Sequence, residues 1–246
     1  MTIVYRHLNP FLGPMYGWVA TLPGGAAVTL PVATKLALKW IASRLEVMPA
    51  VETRKKLFIA GERFRADAKA EGDDVVVGGG ALSPVSSDRM DAAWFSETLT
   101  KQNAPWAFSK GEAFKTIAAQ ELSASLLCLK LLVCGCDFDC DVTLSLTGGT
   151  DNQGNTAVVT KLMTTTFPLS LILMEVAACM HDKGLALRLD WLPRELNVPA
   201  DDLTNWKFAK FDPLERVLLG WDNPGWLVLS DLMDASAELF AMLANN

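Results

Sequence analysis

The chain has 246 residues, half of them hydrophobic, and a formal net charge of −6. It can therefore bury one substantial core with appendages, while no apolar run reaches the ~18–20 uncharged residues that span a bilayer. The acidic balance argues against strong binding to nucleic acid by this chain alone, because phosphate neutralisation supplies much of that affinity.

Residues 1–10 are mixed in character, carry Arg6 and His7, and lack the apolar stretch of a signal peptide. Residues 1–50 are rich in Pro, Gly and aromatics, headed by Asn9-Pro10-Phe11-Leu12-Gly13-Pro14-Met15-Tyr16-Gly17-Trp18. A helix is expected over 31–46, with Pro31 near its first turn and Leu36, Trp40 and Ile41 on its apolar face. Residues 47–56 read as a linker. From Leu57 the pattern turns to strands: 57–69 and 75–82 form a predicted hairpin, and 92–99 a third strand. A long helix follows over 112–133, a fourth strand over 142–146 and a short helix over 155–163. The spacing then predicts a helix over 168–182, opened by Pro168 and stopped by Gly184, and a fifth strand over 185–191. The tail from Trp206 reads as mostly helical, with a last helix over 227–243. This order, β-β-β-α-β-α-α-β-α, indicates a mixed α/β sheet.

The five cysteines are Cys128, Cys134, Cys136, Cys140 and Cys179. An odd count in a chain of this size implies reduced thiols and an intracellular setting, in cytoplasm or nucleus. The cluster Cys134-Gly135-Cys136-Asp137-Phe138-Asp139-Cys140 invites a zinc reading. Its spacing matches no finger pattern and it lacks a nearby fourth Cys or His, so small buried or loop thiols are expected instead.

Four carboxylates carry the chemistry. Asp67 follows the extended run Arg63-Phe64-Arg65-Ala66, and Glu121 lies within the long helix. Asp151 follows the fourth strand and opens Asp151-Asn152-Gln153-Gly154-Asn155, while Asp201 sits just beyond the fifth. Side-by-side pairing of the strands can bring all four to one end of a sheet. Clustered carboxylates repel unless a cation neutralises them, and hard oxygen ligands select Mg²⁺ or Mn²⁺. Metal-dependent phosphodiester chemistry is the expectation.

Each residue also has a structural alternative. Glu121 could be a helix-edge acid reaching water, and Asp151 could simply cap the next helix. Asp67 could be an ordinary strand-end acid beside Asp73 and Asp74. Asp201 competes with its neighbour Asp202, which suits a helix first turn. Asn197 is expected to tie down the turn before that helix, and His181 to lie on the surface. Most of the tryptophans are better explained as packing than as base-stacking platforms.

Three strands, a helix bearing a carboxylate, and a fourth strand ending in Thr150-Asp151-Asn152 resemble the order of a ribonuclease H domain. Asn197-Val198-Pro199-Ala200-Asp201-Asp202-Leu203 is similar to the Asn-x-x-Ala-Asp-x-Leu helix that ends this domain in retroelement reverse transcriptases. Gln120-Glu121-Leu122-Ser123-Ala124 and Ala66-Asp67-Ala68 match the second and first carboxylate segments. The block Pro10 to Trp18 resembles the segment joining the polymerase thumb to ribonuclease H, and no Tyr-x-Asp-Asp polymerase motif occurs.

The resemblance covers about 57–205. It implies a ribonuclease H-like mixed five-stranded sheet flanked by helices, with helical N- and C-terminal appendages. The expected division is a connection-like segment at 1–56, the ribonuclease H-like domain at 57–205 and a helical extension at 206–246. The implied activity is two-metal hydrolysis of the RNA strand of RNA–DNA hybrids. Two Mg²⁺ (or Mn²⁺) ions would be held, one by Asp67, Glu121 and Asp151 and the second by Asp67 and Asp201. Hybrid and an upstream reverse-transcriptase domain are the implied partners. The loop 192–199 lacks the histidine many active members carry, and Arg194 or Glu195 occupies that region. A non-catalytic module that positions nucleic acid, or another nuclease or transposase of the same fold, are the rival readings.

Overall fold

The computed structural model describes residues 5–20, 22, 24–25, 29–47, 56–82, 92–133, 142–219, 221 and 225–234. Cys134, Cys136 and Cys140, and nearly all of the expected linker, lie outside them. Helices α1 (Asn9–Val19) and α2 (Val32–Val47) come first. They lead into strands β1 (Lys56–Glu71), β2 (Asp74–Ala81) and β3 (Trp94–Leu99). Helix α3 (Ile117–Val133), strand β4 (Val142–Thr150) and helices α4 (Gln153–Lys161) and α5 (Leu169–Asp182) follow. Strand β5 (Leu185–Trp191), helix α6 (Val198–Thr204) and the short α7 (Leu229–Asp234) complete the order.

The five strands form one sheet in the order β3-β2-β1-β4-β5. β1 pairs antiparallel with β2 and parallel with β4; β2–β3 is antiparallel and β4–β5 parallel. This is the mixed, helix-flanked, ribonuclease H-like sheet that the sequence implied. Buried β-branched and aromatic residues, among them Phe64, Val75, Val77 and Phe95, fill its strands.

Two adjacent glycines let helices approach opposite faces of the hairpin, since successive strand residues point to opposite sides. A Cβ at Gly78 would lie 2.9 Å from Leu203 Cβ in α6, and one at Gly79 would lie 2.6 Å from Cys128 Sγ in α3. The helices that carry Asp201 and Glu121 thereby pack directly against the strand beside Asp67, whose register partner is Gly78.

The N-terminal helices belong to the same core. Leu8, Phe11, Ala33, Ala37 and Ile41 join one buried cluster with Phe64 of β1 and Ile172 of α5. Phe11 stacks on Trp40 with ring centroids 3.7 Å apart, and this packing holds α1 together although Pro14 lies inside it. Among the other tryptophans, Trp94, Trp106 and Trp221 are buried packing residues. His181 is half-buried, not superficial as expected: its ring stacks on His7 at 4.3 Å. Burial, followed by the charges of His181 and Arg44, pushes the His7 pKa down to about 4.

The tail departs from the helical expectation. Over 206–219 it contains two single 3₁₀ turns, Phe208–Lys210 and Pro213–Glu215. The competing interaction is with the edge of the sheet: Val217 N donates to Trp94 O at 2.8 Å, and Trp94 Nε1 donates to Asp212 O at 2.8 Å. Arg216 lies over the rings of Trp94 and Phe208. The segment covers edge strand β3, which is otherwise open to pairing with another chain. Of the last predicted helix, 229–234 is helical as α7, and 235–246 lies outside the described residues.

α7 docks through a buried acid that sequence pattern did not single out. Glu175 in α5 is 0 % exposed and accepts the backbone N–H groups of Leu227, Val228 and Leu229 at 2.7–3.1 Å. Lys130 completes the site, 3.1 Å from Glu175 Oε1 and 2.9 Å from Gly225 O. Removing one partner of such a pair leaves a buried charge and orphaned donors. Glu175→Ala should therefore cost roughly 3–5 kcal/mol in urea unfolding and release amide-exchange protection at Val228. A loss below about 1 kcal/mol would show that the contact does not hold the tail.

Candidate metal centre

Asp67, Glu121 and Asp151 come together, with one carboxylate oxygen from each all lying within 4.8 Å of one another. They arrive from three elements: the buried middle of β1, the first half of α3, and the residue directly after β4. Each is held by a neighbour rather than neutralised. Thr204 Oγ1 of α6 donates to Asp67 Oδ2 at 3.2 Å, and the Ala68 N–H also reaches the Asp67 carboxylate. The Asn152 side chain hydrogen-bonds Glu121. The indole Nε1 of Trp191 donates to the backbone oxygen of Asp151 at 3.1 Å, fixing the strand end that presents it.

The capping alternative for Asp151 is answered by its neighbour. Asn152 is the N-cap of α4, its Oδ1 accepting Asn155 N at 3.1 Å. Asn155 in turn donates to Ala118 O of α3 at 2.9 Å, tying the strand end to the helix that carries Glu121. Asp151 is left free to face the cluster.

Asp201 stands beside this trio. Arg194 donates to its Oδ1 at 3.2 Å and Asn205 Nδ2 to its Oδ2 at 3.1 Å. Its charge is among those that raise the pKa of Asp67. Asp202 points elsewhere, into contacts with Lys210 at 2.9 Å and Lys207 at 3.7 Å. Asn197 is buried and its side chain donates to Ala66 O of β1 at 3.2 Å, so it anchors the turn to the sheet while standing at the N-cap of α6 without a side-chain cap bond. Arg65 is buried between Glu62 and the Leu196 carbonyl. Thr204, Asn152 and Trp191 are the supporting residues that sequence reasoning missed; of these only Asn152, three residues before Asn155, carried a local capping signal.

Electrostatics mark the trio as strained without a cation. Burial, then the Asp151 charge, pushes the Asp67 pKa up from 3.8 to about 7. Burial, then the charges of Asp151 and Asp67, pushes Glu121 up from 4.5 to about 8. Glu121 Oε2 and Asp151 Oδ1 are buried with no hydrogen-bond partner. Orphaned buried oxygens on carboxylates that converge this closely fit a hard divalent cation such as Mg²⁺ or Mn²⁺. The two described cysteines are buried free thiols, Cys128 in α3 and Cys179 in α5, whose pKa values burial raises.

No family model matches the chain, and no curated protein matches it in sequence. Among solved structures, 58% of the chain is similar to 93% of LC11-RNase H1 in complex with an RNA/DNA hybrid, at 17% identity and a TM-score of 0.45. That enzyme was isolated from compost by a metagenomic approach. A second similarity, to RNase H1 of the halophilic archaeon Halobacterium salinarum NRC-1, covers 59% of this chain and 96% of that one at 22% identity, with a TM-score of 0.40. The chain's own strand order and pairing carry the assignment of a ribonuclease H-like fold. Among the described residues, no helix is long and apolar enough to cross a membrane.

A group whose folded pKa is raised binds its proton more tightly in the native state than in the unfolded chain. The associated stability is complete below the unfolded pKa and is lost as pH rises through the folded value. For Asp67 and Glu121 that window runs from their ordinary values of 3.8 and 4.5 up to about 7 and about 8. In chelator, the melting temperature should therefore fall as pH rises across this window. Saturating Mg²⁺, which binds the ionised carboxylates of the folded state, should remove most of the fall. The same slope with and without Mg²⁺ would contradict a metal centre here.

Proposed function

We propose that this chain is a metal-dependent endoribonuclease that cuts the RNA strand of RNA–DNA hybrids, as the ribonuclease H part of a retroelement polymerase. The observation that carries the reading is the convergence of Asp67, Glu121 and Asp151 with two orphaned buried oxygens. The retroelement context rests on the sequence resemblance alone, above all on the Asn197 to Leu203 segment. An upstream reverse-transcriptase domain is the proposed partner.

Asp67, Glu121 and Asp151 would hold one ion, and Asp67 with Asp201 a second. Bound there, the ions would supply an activated water and counter-charge for the leaving oxygen. The protein's own part is placement. Thr204 and the Ala68 amide fix Asp67, the residue shared by both positions. Asn152 orients Glu121, and the Asn155–Ala118 contact keeps the β4 end against α3. Such outer supports matter because ligands must be held before the ion arrives. Choice of the RNA strand would rest on its 2′-hydroxyls and on the shape of the hybrid groove.

The chain's internal basic pairs favour a weak grip on phosphate. Arg65 is committed to Glu62, and Lys69 lies 2.8 Å from Glu71. A non-catalytic module that positions nucleic acid would share these features, so cleavage is the discriminating readout. Wild-type protein with Mg²⁺ should cut an RNA–DNA hybrid and leave duplex DNA intact. Asp151→Asn should lower hybrid cleavage by more than about 100-fold, since even outer-shell losses cost 10–100-fold. Its melting temperature in chelator should hold or rise, because one repelling charge is gone. Hybrid binding without cleavage by the wild type would assign the positioning role, and full activity in Asp151→Asn would remove that residue as a ligand.

A further inference from the structure

We propose that Arg194 is a built-in counter-cation of this site, holding Asp201 while no divalent ion shares that carboxylate and yielding it when one does. The inference rests on the metal-centre reading above. Among the described residues, Arg194 is the only basic side chain in ion-pair contact with any of the four carboxylates. Its guanidinium lies 3.2 Å from Asp201 Oδ1, and its charge also reaches Asp67, Asp151 and Glu121.

The two contacts to Asp201 differ in how easily they can be given up. Asn205 Nδ2, part-buried at the end of α6, holds Oδ2 at 3.1 Å and also donates to the Asp201 carbonyl at 2.8 Å. The Arg194 side chain is 76% exposed, and an exposed ion pair contributes little beyond what water offers in exchange. Its long, flexible stem lets the guanidinium move into solvent without disturbing the backbone turn Arg194–Leu196. An incoming ion therefore competes with Arg194 for one oxygen, and with its positive charge across the whole cluster. Arg194 acts here as a positioning residue: it sets how readily the Asp201 side of the site is loaded.

A merely structural role predicts the opposite sign. If Arg194 only oriented Asp201, its loss would weaken ion binding; if it is a competing cation, its loss strengthens it. Binding of Mn²⁺ alone to the intact chain, measured by titration calorimetry, separates the two. Arg194→Ala should bind Mn²⁺ about two- to fivefold more tightly than wild type, the scale of an exposed ion pair. Arg194→Lys, which keeps the charge, should stay near wild type. In an Asp201→Asn background, Arg194→Ala should lose most of its effect, as coupled neighbours do. Unchanged or weaker Mn²⁺ binding in Arg194→Ala would overturn the proposal while leaving the metal centre in place. If wild type bound Mn²⁺ no better than an Asp67→Asn/Asp151→Asn double variant, the metal-centre reading and this inference would fall together.

Discussion

One carboxylate oxygen from each of Asp67, Glu121 and Asp151 lies within 4.8 Å of the others, so the packing around them must hold three like charges together. In water such groups would separate; here β1, α3 and the end of β4 hold them in place. The repulsion is borne by the surrounding packing and hydrogen bonds, which is the usual signature of a site prepared for a ligand. The supports are specific. Gly78 and Gly79 allow α6 and α3 to close on both faces of the hairpin, while Thr204 and Asn152 each reach a carboxylate without cancelling its charge.

Rigidity at the site is inherited from the flanks. α1 and α2 contribute to the central buried cluster, so the sheet has the N-terminal segment as part of its packing. On the far side the tail closes over β3 and over the small cluster of Leu82, Trp94, Ala200, Leu203 and Phe211. That cluster underlies α6, the helix that presents Asp201 and Thr204. The Glu175–Lys130 pair fixes the last described segment against α5. A buried ion pair of this kind contributes less net stability than its geometry suggests, and its loss is costly because the survivor stays buried.

The order of elements was legible because strand and helix patterns are local signals, and the four candidate acids stood out through the resemblance of Ala66-Asp67-Ala68, Gln120-Glu121-Leu122-Ser123-Ala124, Thr150-Asp151-Asn152 and Asn197 to Leu203 to ribonuclease H segments. Where two neighbours were equally good by sequence, tertiary contacts separated them. Asn152 took the helix cap and left Asp151 to the cluster, and Lys207 with Lys210 drew Asp202 away from it. What the sequence concealed was non-local. Pro10, Gly13, Pro14 and Gly17 disguised α1, which forms because Phe11 can stack on Trp40. The tail carried helix-compatible residues, but its backbone found partners on Trp94. Glu175 looked like any helical acid until α7 folded onto it. Thr204 gave no local sign that its hydroxyl would meet Asp67, a residue 137 positions away.

On the function proposed above, the converging carboxylates exist to hold a divalent cation. Anomalous scattering from crystals grown with Mn²⁺ would locate such an ion directly. A peak coordinated by oxygens of Asp67, Glu121 and Asp151 together is expected. An ordered trio at saturating Mn²⁺ with no peak between the three side chains, or Mn²⁺ bound only elsewhere on the protein, would contradict it.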